Sequence, residues 1–225
     1  MKLRVLVGCE YSGVVRNAFR KFGHDAFSCD LLPSDDNSPY HIQGDVLEVL
    51  AREDFDIGIF HPPCTYMCNS GVSWLYKGVD ENGNRIKNEP RWQKLRESTE
   101  FFIRLWGCNI PHVAIENPIM HGTAKAMLSG LEPSVIVQPW MFGHKEKKAT
   151  CLWLKNLPLL QPTTDLKEET DALPKKVQQR LHYLPPSKDR WKLRSTTYQG
   201  IADAMATQWI PFVSAQVERR RACSK

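Results

Sequence analysis

A cysteine that follows two prolines and a glutamate that follows a short apolar segment are the residues best suited to chemistry in this sequence. Pro62-Pro63-Cys64 comes directly after the largely apolar residues 57–60, and Glu116 comes directly after Val113-Ala114-Ile115. A thiolate can add to an electron-poor ring carbon, while a carboxylic acid can protonate a ring nitrogen as charge builds there. The pair therefore indicates covalent catalysis on a pyrimidine ring, with Cys64 as nucleophile and Glu116 as acid.

Alternating strand and helix patterns predict the scaffold that positions these two residues. Apolar runs predict strands at residues 3–7, 26–29, 56–60, 113–115, 135–137 and 150–154. Helical spacing of apolar residues predicts helices at residues 13–22, 46–50, 88–106 and from Thr197 onward. Such alternation favours an α/β fold with a doubly wound, mostly parallel sheet, and we expect residues 1–225 to form one domain. Ligands of such sheets lie beyond the carboxyl ends of the strands, where the candidate residues fall.

The loop after the first predicted strand suits a nucleoside-bearing cofactor. Its sequence, Gly8-Cys9-Glu10-Tyr11-Ser12-Gly13, permits a tight turn that brings a ligand close to backbone amides at a helix N-terminus. Asp30, at the end of the second strand, is placed to accept hydrogen bonds from a ribose diol, and Asp45 from an adenine amino group. Each acid has a plain structural alternative, because strand-end carboxylates and helix caps use the same residue type.

The charge of the chain is unevenly distributed. Residues 1–140 carry 14 Lys/Arg against 17 Asp/Glu, whereas residues 141–225 carry 16 against 8, which gives the net charge of +5. A basic C-terminal third indicates that a polyanion binds there, although a solvated basic surface without a partner explains the same composition.

Composition and cysteine spacing exclude several other classes. No stretch approaches the ~20 apolar residues of a membrane span, and the apolar part of the start is too short for a signal peptide, so we expect a cytoplasmic protein. Seven scattered cysteines form no secreted-type disulfide framework, and most should be free thiols. Cys64 and Cys68 lack the further cysteine or histidine pair of a zinc site, so we expect no metal.

Together, these motifs resemble the cytosine carbon-5 methyltransferase family in identity and order. A glycine-containing first loop, an acid after each of the next two strands, Pro-Pro-Cys and then Glu-Asn follow one another over most of the chain. The sequence is most similar to small DNA cytosine methyltransferase-like proteins of bacteriophages, in the segments 61–66, 116–121, 138–144 and 181–186. If it is phage-encoded, the protein would act in the cytoplasm of the host cell.

The resemblance implies a cofactor, a substrate and a set of contacts. The cofactor would be S-adenosylmethionine and the substrate double-stranded DNA with the target cytosine flipped out. The residues around the cofactor would be Gly8, Glu10, Ser12, Gly13, Asp30, Asp45 and Pro62. Pro63, Asn117 and Lys148 would contact the substrate, beside the catalytic Cys64 and Glu116. Burial is expected to raise the pKa of Glu116, and nearby positive charge and loop amides to favour the Cys64 thiolate.

The chain departs from the family in its small target-recognition segment and in three motifs, one of which lacks the usual arginine and offers Lys148 as the candidate for contacting the base. Glu10 stands where a glycine is common, and Asp203 where an asparagine is usual. Only residues 156–192, with interleaved cations and aromatic residues, are available for target recognition, so any sequence specificity should be short or loose. Two alternatives therefore stay open: modification of a free pyrimidine nucleotide at carbon 5, and nucleic-acid binding without catalysis on a methyltransferase-like fold.

Overall fold

The computed structural model describes residues 1–72 and 74–223 of the chain. The strands are β1 (Arg4–Gly8), β2 (Asp25–Asp30), β3 (His41–Gln43), β4 (Ile57–Phe60), β5 (Tyr76–Val79), β6 (Arg85–Lys87), β7 (His112–Pro118), β8 (Val135–Val137) and β9 (Thr150–Lys155). The α-helices are α1 (Val14–Lys21), α2 (Val46–Arg52), α3 (Asn69–Val72), α4 (Glu89–Trp106), α5 (Gly122–Ala126), α6 (Lys167–Asp171), α7 (Lys175–Gln178), α8 (Arg190–Ser195) and α9 (Gln199–Cys223). Within these ranges no helix is both long and apolar enough to cross a bilayer.

Seven strands form one sheet in the order β3-β2-β1-β4-β7-β9-β8, and the hairpin β5-β6 stands apart from it. The first five strands of this order are parallel, which confirms the doubly wound, mostly parallel α/β sheet expected from the sequence. β9 runs antiparallel to both of its neighbours, β7 and β8, so the sheet is mostly rather than wholly parallel. A short connection joins β8 to β9, and a helical crossover, which parallel neighbours need, is missing there.

Alternate residues of the central strands feed two hydrophobic clusters, one on each face of the sheet. In β1, Val5 and Val7 pack with α1 and α9, whereas Leu6 packs with residues of α2 and α4. Both faces are covered, so these strands are apolar throughout rather than alternating, as parallel strands usually are. The last helix, α9, contributes the fully buried Trp209 and continues through Pro211.

The strand order reverses between β1 and β4, which lie side by side in the centre of the sheet. From β1 the chain moves outward through β2 and β3, and from β4 it moves outward in the opposite direction to β7. The loops after β1 and β4 therefore part at this point and leave a crevice at the carboxyl edge. The two sequence motifs with chemical potential, at Cys64 and at Glu116, follow β4 and end β7.

Candidate functional site

A direct tether joins the Cys64 loop to β7. The side-chain amide of Asn117 donates a 3.1 Å hydrogen bond to the carbonyl of Pro62, and Asn117 itself is only 1% exposed. The carbonyl of Cys64 accepts from the backbone amides of Met67 and Cys68, which closes the turn behind the thiol. The loop with the thiol is therefore held against the strand that carries Glu116.

The Cys64 thiol is held in its protonated form by its surroundings. A hydrogen bond with the Cys68 side chain raises the pKa of Cys64, and burial and the negative charge of Glu116 raise it further. The backbone amide of Cys64 acts in the opposite direction but does not compensate. The expected stabilisation of a thiolate by loop amides is thus outweighed, and ionisation requires a change at the site.

Glu116 is bound to a histidine that the sequence did not assign to it. His61 Nδ1 and Glu116 Oε2 lie 2.9 Å apart, with the two side chains 8% and 15% exposed. Burial alone would raise the pKa of Glu116, but the His61 hydrogen bond and the charges of Lys148 and His61 outweigh it. The pKa of Glu116 is therefore lowered, contrary to the expectation from burial, because polar partners come with the burial.

In the first loop, Glu10 occupies the N-terminus of α1. Its carboxylate accepts from the backbone amides of Val15 and Arg16, at 2.7 and 3.2 Å, and the Ser12 hydroxyl lies 3.4 Å away. Burial raises the pKa of Glu10, against the lowering effects of His61, these amides and Arg16. Glu10 therefore accepts hydrogen bonds from some of the backbone amides that we expected to face a cofactor.

Two glycines of this loop are required by the fold itself. A Cβ at Gly8 would lie 2.6 Å from the ring of Phe60 and 2.7 Å from Val46. Gly13, just before α1, has a φ of 72°, the left-handed region that side chains with a Cβ disfavour. These positions shape the turn whether or not a ligand approaches it.

Asp30 and Asp45 stand on the same edge as the first loop. Asp30 accepts from the backbone amide of Leu32, and Asp45 caps α2 by accepting from Leu47, the structural alternative considered for it. Burial raises the pKa of Cys9, and the negative charges of Asp30 and Asp45 raise it further, so all three residues lie close together. Neither aspartate has a basic partner among the described residues. Carboxylate oxygens that are not paired with a cation can accept hydrogen bonds from the hydroxyl and amino groups of a nucleoside cofactor.

The expected substrate contacts occupy different environments. Pro63 is exposed beside Cys64, whereas Asn117 is buried in the tether to Pro62. The Lys148 ammonium donates to the carbonyl of Arg194 at 2.8 Å, and its charge acts on Glu116. Lys148 therefore connects α8 with the carboxylate.

The segment 156–192 divides into a packed part and an exposed part. Leu157 and Leu160 belong to the hydrophobic cluster around α9, and the Pro158 carbonyl accepts from the Trp209 indole. The exposed part begins at α7 and includes Lys175, Lys176, His182, Tyr183, Lys188 and Trp191. Part of the segment expected to face a target is thus anchored to the fold through Leu157, Pro158 and Leu160.

The exposed part reaches back over the first loop through α8. The rings of Trp191 and Tyr11 lie 5.5 Å apart, and the Tyr11 hydroxyl lies 3.1 Å from the Ser195 hydroxyl. Lys192 pairs with Asp35 at 3.3 Å. The sequence gives no signal for these contacts, since they join residues about 160 to 180 positions apart.

The six cysteines whose side chains the structure describes, Cys9, Cys29, Cys64, Cys68, Cys108 and Cys151, are free thiols as expected. His121 caps α5 by accepting from the Thr123 amide at 3.0 Å, which is a local structural role. His61 differs from His121 because its partner is Glu116, 55 residues away. Its position before Pro62 was visible in the sequence, but the partner was not.

No protein-family model and no curated protein sequence match this chain. Among solved structures, it is similar to a protein described as a DNA modification methyltransferase encoded within an E. coli prophage, at 17% identity and a TM-score of 0.45. That match covers 77% of this chain and 56% of the other.

Two further similar structures are a DNMT2 mutant of Spodoptera frugiperda and the S. pombe Dnmt2 methyltransferase. The first has 15% identity and a TM-score of 0.39, covering 74% of this chain and 54% of the other. The second has 14% identity and a TM-score of 0.36, covering 84% and 61%. This chain thus spans little more than half of each of these proteins, and the residues of the site, not these similarities, carry the function proposed below.

Proposed function

We propose that this protein methylates carbon 5 of cytosine in DNA, with S-adenosylmethionine as methyl donor, through a covalent adduct with Cys64. The observation that carries the proposal is the tethered pair at the switch point, where the Cys64 loop is bonded to the strand of Glu116. A thiol and a carboxyl group at one crevice are the two groups that activation of carbon 5 needs. We further propose that residues 1–225 act as a single domain.

The residues of the chain divide the work of this reaction between them. Cys64 adds to carbon 6 of the ring, and Glu116 holds a proton at ring nitrogen 3 as negative charge builds there. Elimination of Cys64 follows the loss of the carbon-5 proton. Pro62 and Pro63 restrict the loop that aims the thiol, and Asn117 fixes the loop to β7. Lys148 adds positive charge beside Glu116.

The cofactor would lie between the first loop and the two unpaired aspartates. Gly8, Ser12 and Gly13 shape the loop, Asp30 and Asp45 offer acceptors, and Glu10 orders the start of α1. When bound there, S-adenosylmethionine supplies an electrophilic methyl group. Pro62, at the turn into the Cys64 loop, is buried and would border both ligands.

We propose two surfaces for the DNA. One is the exposed end of the recognition segment, residues 175–191, with its cations and aromatic rings. The other is the β5-β6 hairpin, which follows the Cys64 loop and α3 directly along the chain. Its cations Lys77, Arg85 and Lys87 have no acidic partner among the described residues, and Trp74 beside it is 65% exposed. Unpaired cations with exposed rings suit phosphates and unstacked bases.

One observation favours a free pyrimidine nucleotide as an alternative substrate. Several cations of the basic C-terminal third are paired within the chain, including Arg180 with Glu146, Lys145 with Glu169, and Lys147 and Lys167 with Asp171. Because these cations are already paired with carboxylates, the region should bind a polyanion less strongly than its number of cations suggests. The experiment below separates the two substrates.

The test is mechanism-based trapping with DNA that contains 5-fluorocytosine, in the presence of S-adenosylmethionine. Fluorine cannot leave as the carbon-5 proton does, so we expect a covalent complex that survives denaturing electrophoresis and maps to Cys64 by mass spectrometry. The Cys64→Ala variant should form none. The Cys68→Ala variant is the matched control and should still be trapped, because the Cys68 thiol hydrogen-bonds to Cys64 and to Ser70 but is not the proposed nucleophile.

Trapping by the fluorinated free nucleotide instead of the DNA would transfer the proposal to nucleotide modification. If neither substrate forms a covalent complex, nucleic-acid binding without catalysis becomes the favoured function. A complex that maps to a cysteine other than Cys64 would refute the assigned nucleophile.

A further inference from the structure

His61 is fixed at the centre of the crevice by both of its neighbouring strands. Its backbone amide donates to the Gly8 carbonyl at the end of β1, at 3.0 Å, and its Nδ1 bonds to Glu116 at the end of β7. The side chain is 8% exposed, so the ring has one orientation and bulk water has little access to it. The imidazole is thus a largely buried partner of the Glu116 carboxyl group.

The second ring nitrogen of His61 is buried and has no hydrogen-bond partner among the described residues. Such a group is costly in a stable fold, and its retention calls for an explanation. Glu10, from the loop after β1, lies within electrostatic reach of the same ring. The other charged or titratable groups around it are Glu116 on β7, Lys148 before β9 and Cys64 on its own loop.

We propose that His61 is a positioning residue that supplies the proton which Glu116 delivers to ring nitrogen 3, an inference that rests on the proposed function. The relay starts from the imidazolium form of His61, whose Nδ1–H bond breaks as an O–H bond forms on Glu116, so that neutral imidazole with its proton on Nε2 remains. That O–H bond breaks in turn as an N–H bond forms at nitrogen 3 while the thiolate adds to carbon 6. When the adduct collapses, the proton returns along the same path, so the relay is restored after each turnover.

The electrostatics of the site explain why a relay is needed. The pKa of Glu116 is lowered by its partners, so the carboxyl group is ionised at neutral pH and has no proton of its own to give. Its negative charge also opposes ionisation of the Cys64 thiol. Transfer of a proton from His61 to Glu116 removes that charge, and it prepares the acid and favours the nucleophile in one step.

The test compares His61→Asn with wild type in the rate of DNA methylation as a function of pH. Asparagine keeps an N–H donor near the position of Nδ1 but does not carry a proton. We expect wild-type kcat to fall at alkaline pH, where the relay is unprotonated. We expect the variant to lose that alkaline limb and to turn over roughly 10²-fold more slowly, the scale of acid catalysis.

Two further measurements make the inference falsifiable. In His61→Gly, imidazole added to the buffer should restore part of the lost rate, which a purely structural role does not predict. Trapping of wild type by 5-fluorocytosine DNA is run alongside, so that failure of the proposed function is seen separately. The relay alone is overturned if wild type is trapped but its kcat does not fall at alkaline pH. It is likewise overturned if wild type is trapped and the His61→Asn variant has a normal rate and pH profile. A wild type that is not trapped overturns both.

Discussion

At the scale of single residues, the charge of Glu116 contributes to the raised pKa of Cys64, after the Cys68 hydrogen bond and burial. The carboxylate is one of the groups that keep the thiol in its neutral form, together with the Cys68 hydrogen bond and burial. Neutralising Glu116 therefore acts on both partners of the proposed reaction, since it creates an acid and weakens the opposition to a thiolate. The two residues are one coupled unit rather than two independent catalysts.

This coupling predicts opposite effects of Glu116→Gln on two rates. Methyl transfer should slow by roughly 10²-fold or more, because an amide cannot deliver a proton to ring nitrogen 3. Alkylation of Cys64 by iodoacetamide should become faster, because removal of the carboxylate lowers the pKa of the thiol. Glu100→Gln, at an exposed position of α4, is the control and should change neither rate. Equal slowing of both rates in Glu116→Gln would instead indicate general damage to the site.

At the scale of elements, the β5-β6 hairpin is the feature that the sequence described least well. Its sequence is mostly hydrophilic, and its turn at residues 80–84 is held by the Asp80 side chain. What the sequence did not show is that Arg85 lies over the ring of Tyr76 and Lys87 over that of Trp92. These cation–π contacts position the two cations, and neither cation has an acidic partner in the part of the chain that the structure describes.

The hairpin predicts a measurable share of the salt dependence of DNA binding. Replacing Lys77, Arg85 and Lys87 by glutamine should flatten the plot of log affinity against log salt by about 2 to 3, since each phosphate contact contributes ~0.9 to its slope. Fluorescence anisotropy with a short duplex at several salt concentrations measures this. The control replaces Lys145, Lys147 and Lys167, which are paired with carboxylates, and should change the slope much less. An equal change in both triple variants would contradict a specific hairpin contact.

Elements with strong local patterns were predicted from the sequence, and those that depend on distant partners were not. β1, α1, β4 and α4 have apolar periodicity and end signals within themselves, so their positions match the prediction. β3 has three residues in a polar loop and exists because it pairs with β2. The direction of β9 follows from a short connection, and no residue in the strand itself encodes it.

The same distinction applies to the candidate site. The prediction that Cys64 and Glu116 follow strands required only local patterns, and the structure has both at strand ends. The link between His61 and Glu116 joins two loops that meet only when the sheet forms. The lowered pKa of Glu116 depends on that link, so reasoning from burial alone gave the wrong direction.

At the scale of the whole molecule, the start of α9 is locked onto the loop after β8. The backbone amide of Gly200 donates to His144 Nε2 at 3.0 Å, and a Cβ at this position would overlap the carbonyl oxygen of Phe142. The same loop is bonded to the recognition segment, since Glu146 accepts from both Tyr198 and Arg180. The close approach of α9 to this loop at Gly200 and the hydrogen bonds of Glu146 therefore connect the C-terminal helix, the loop and the segment 156–192.

This closure predicts that Gly200→Ala lowers the free energy of unfolding by about 1 to 3 kcal/mol, the usual cost of overpacking. Gly122→Ala in α5 is the matched control, because a Cβ there meets open space. Gly122 is the exposed first residue of α5, so alanine there should change the free energy of unfolding by no more than about 0.5 kcal/mol. Urea denaturation of the two variants measures both effects. Two variants of equal stability would show that the loop gives way at little cost.

The raised pKa of Cys64 has a further consequence under the proposed function, because it bears on how the protein survives when no substrate is bound. Peroxides and other oxidants attack thiolates far faster than thiols, and sulfinic or sulfonic acid would end the activity of a chain permanently. With its proton retained by Cys68, burial and Glu116, the resting sulfur is a poor target for them. The arrangement that delays the nucleophile until a base is in place also protects an idle chain from oxidative inactivation.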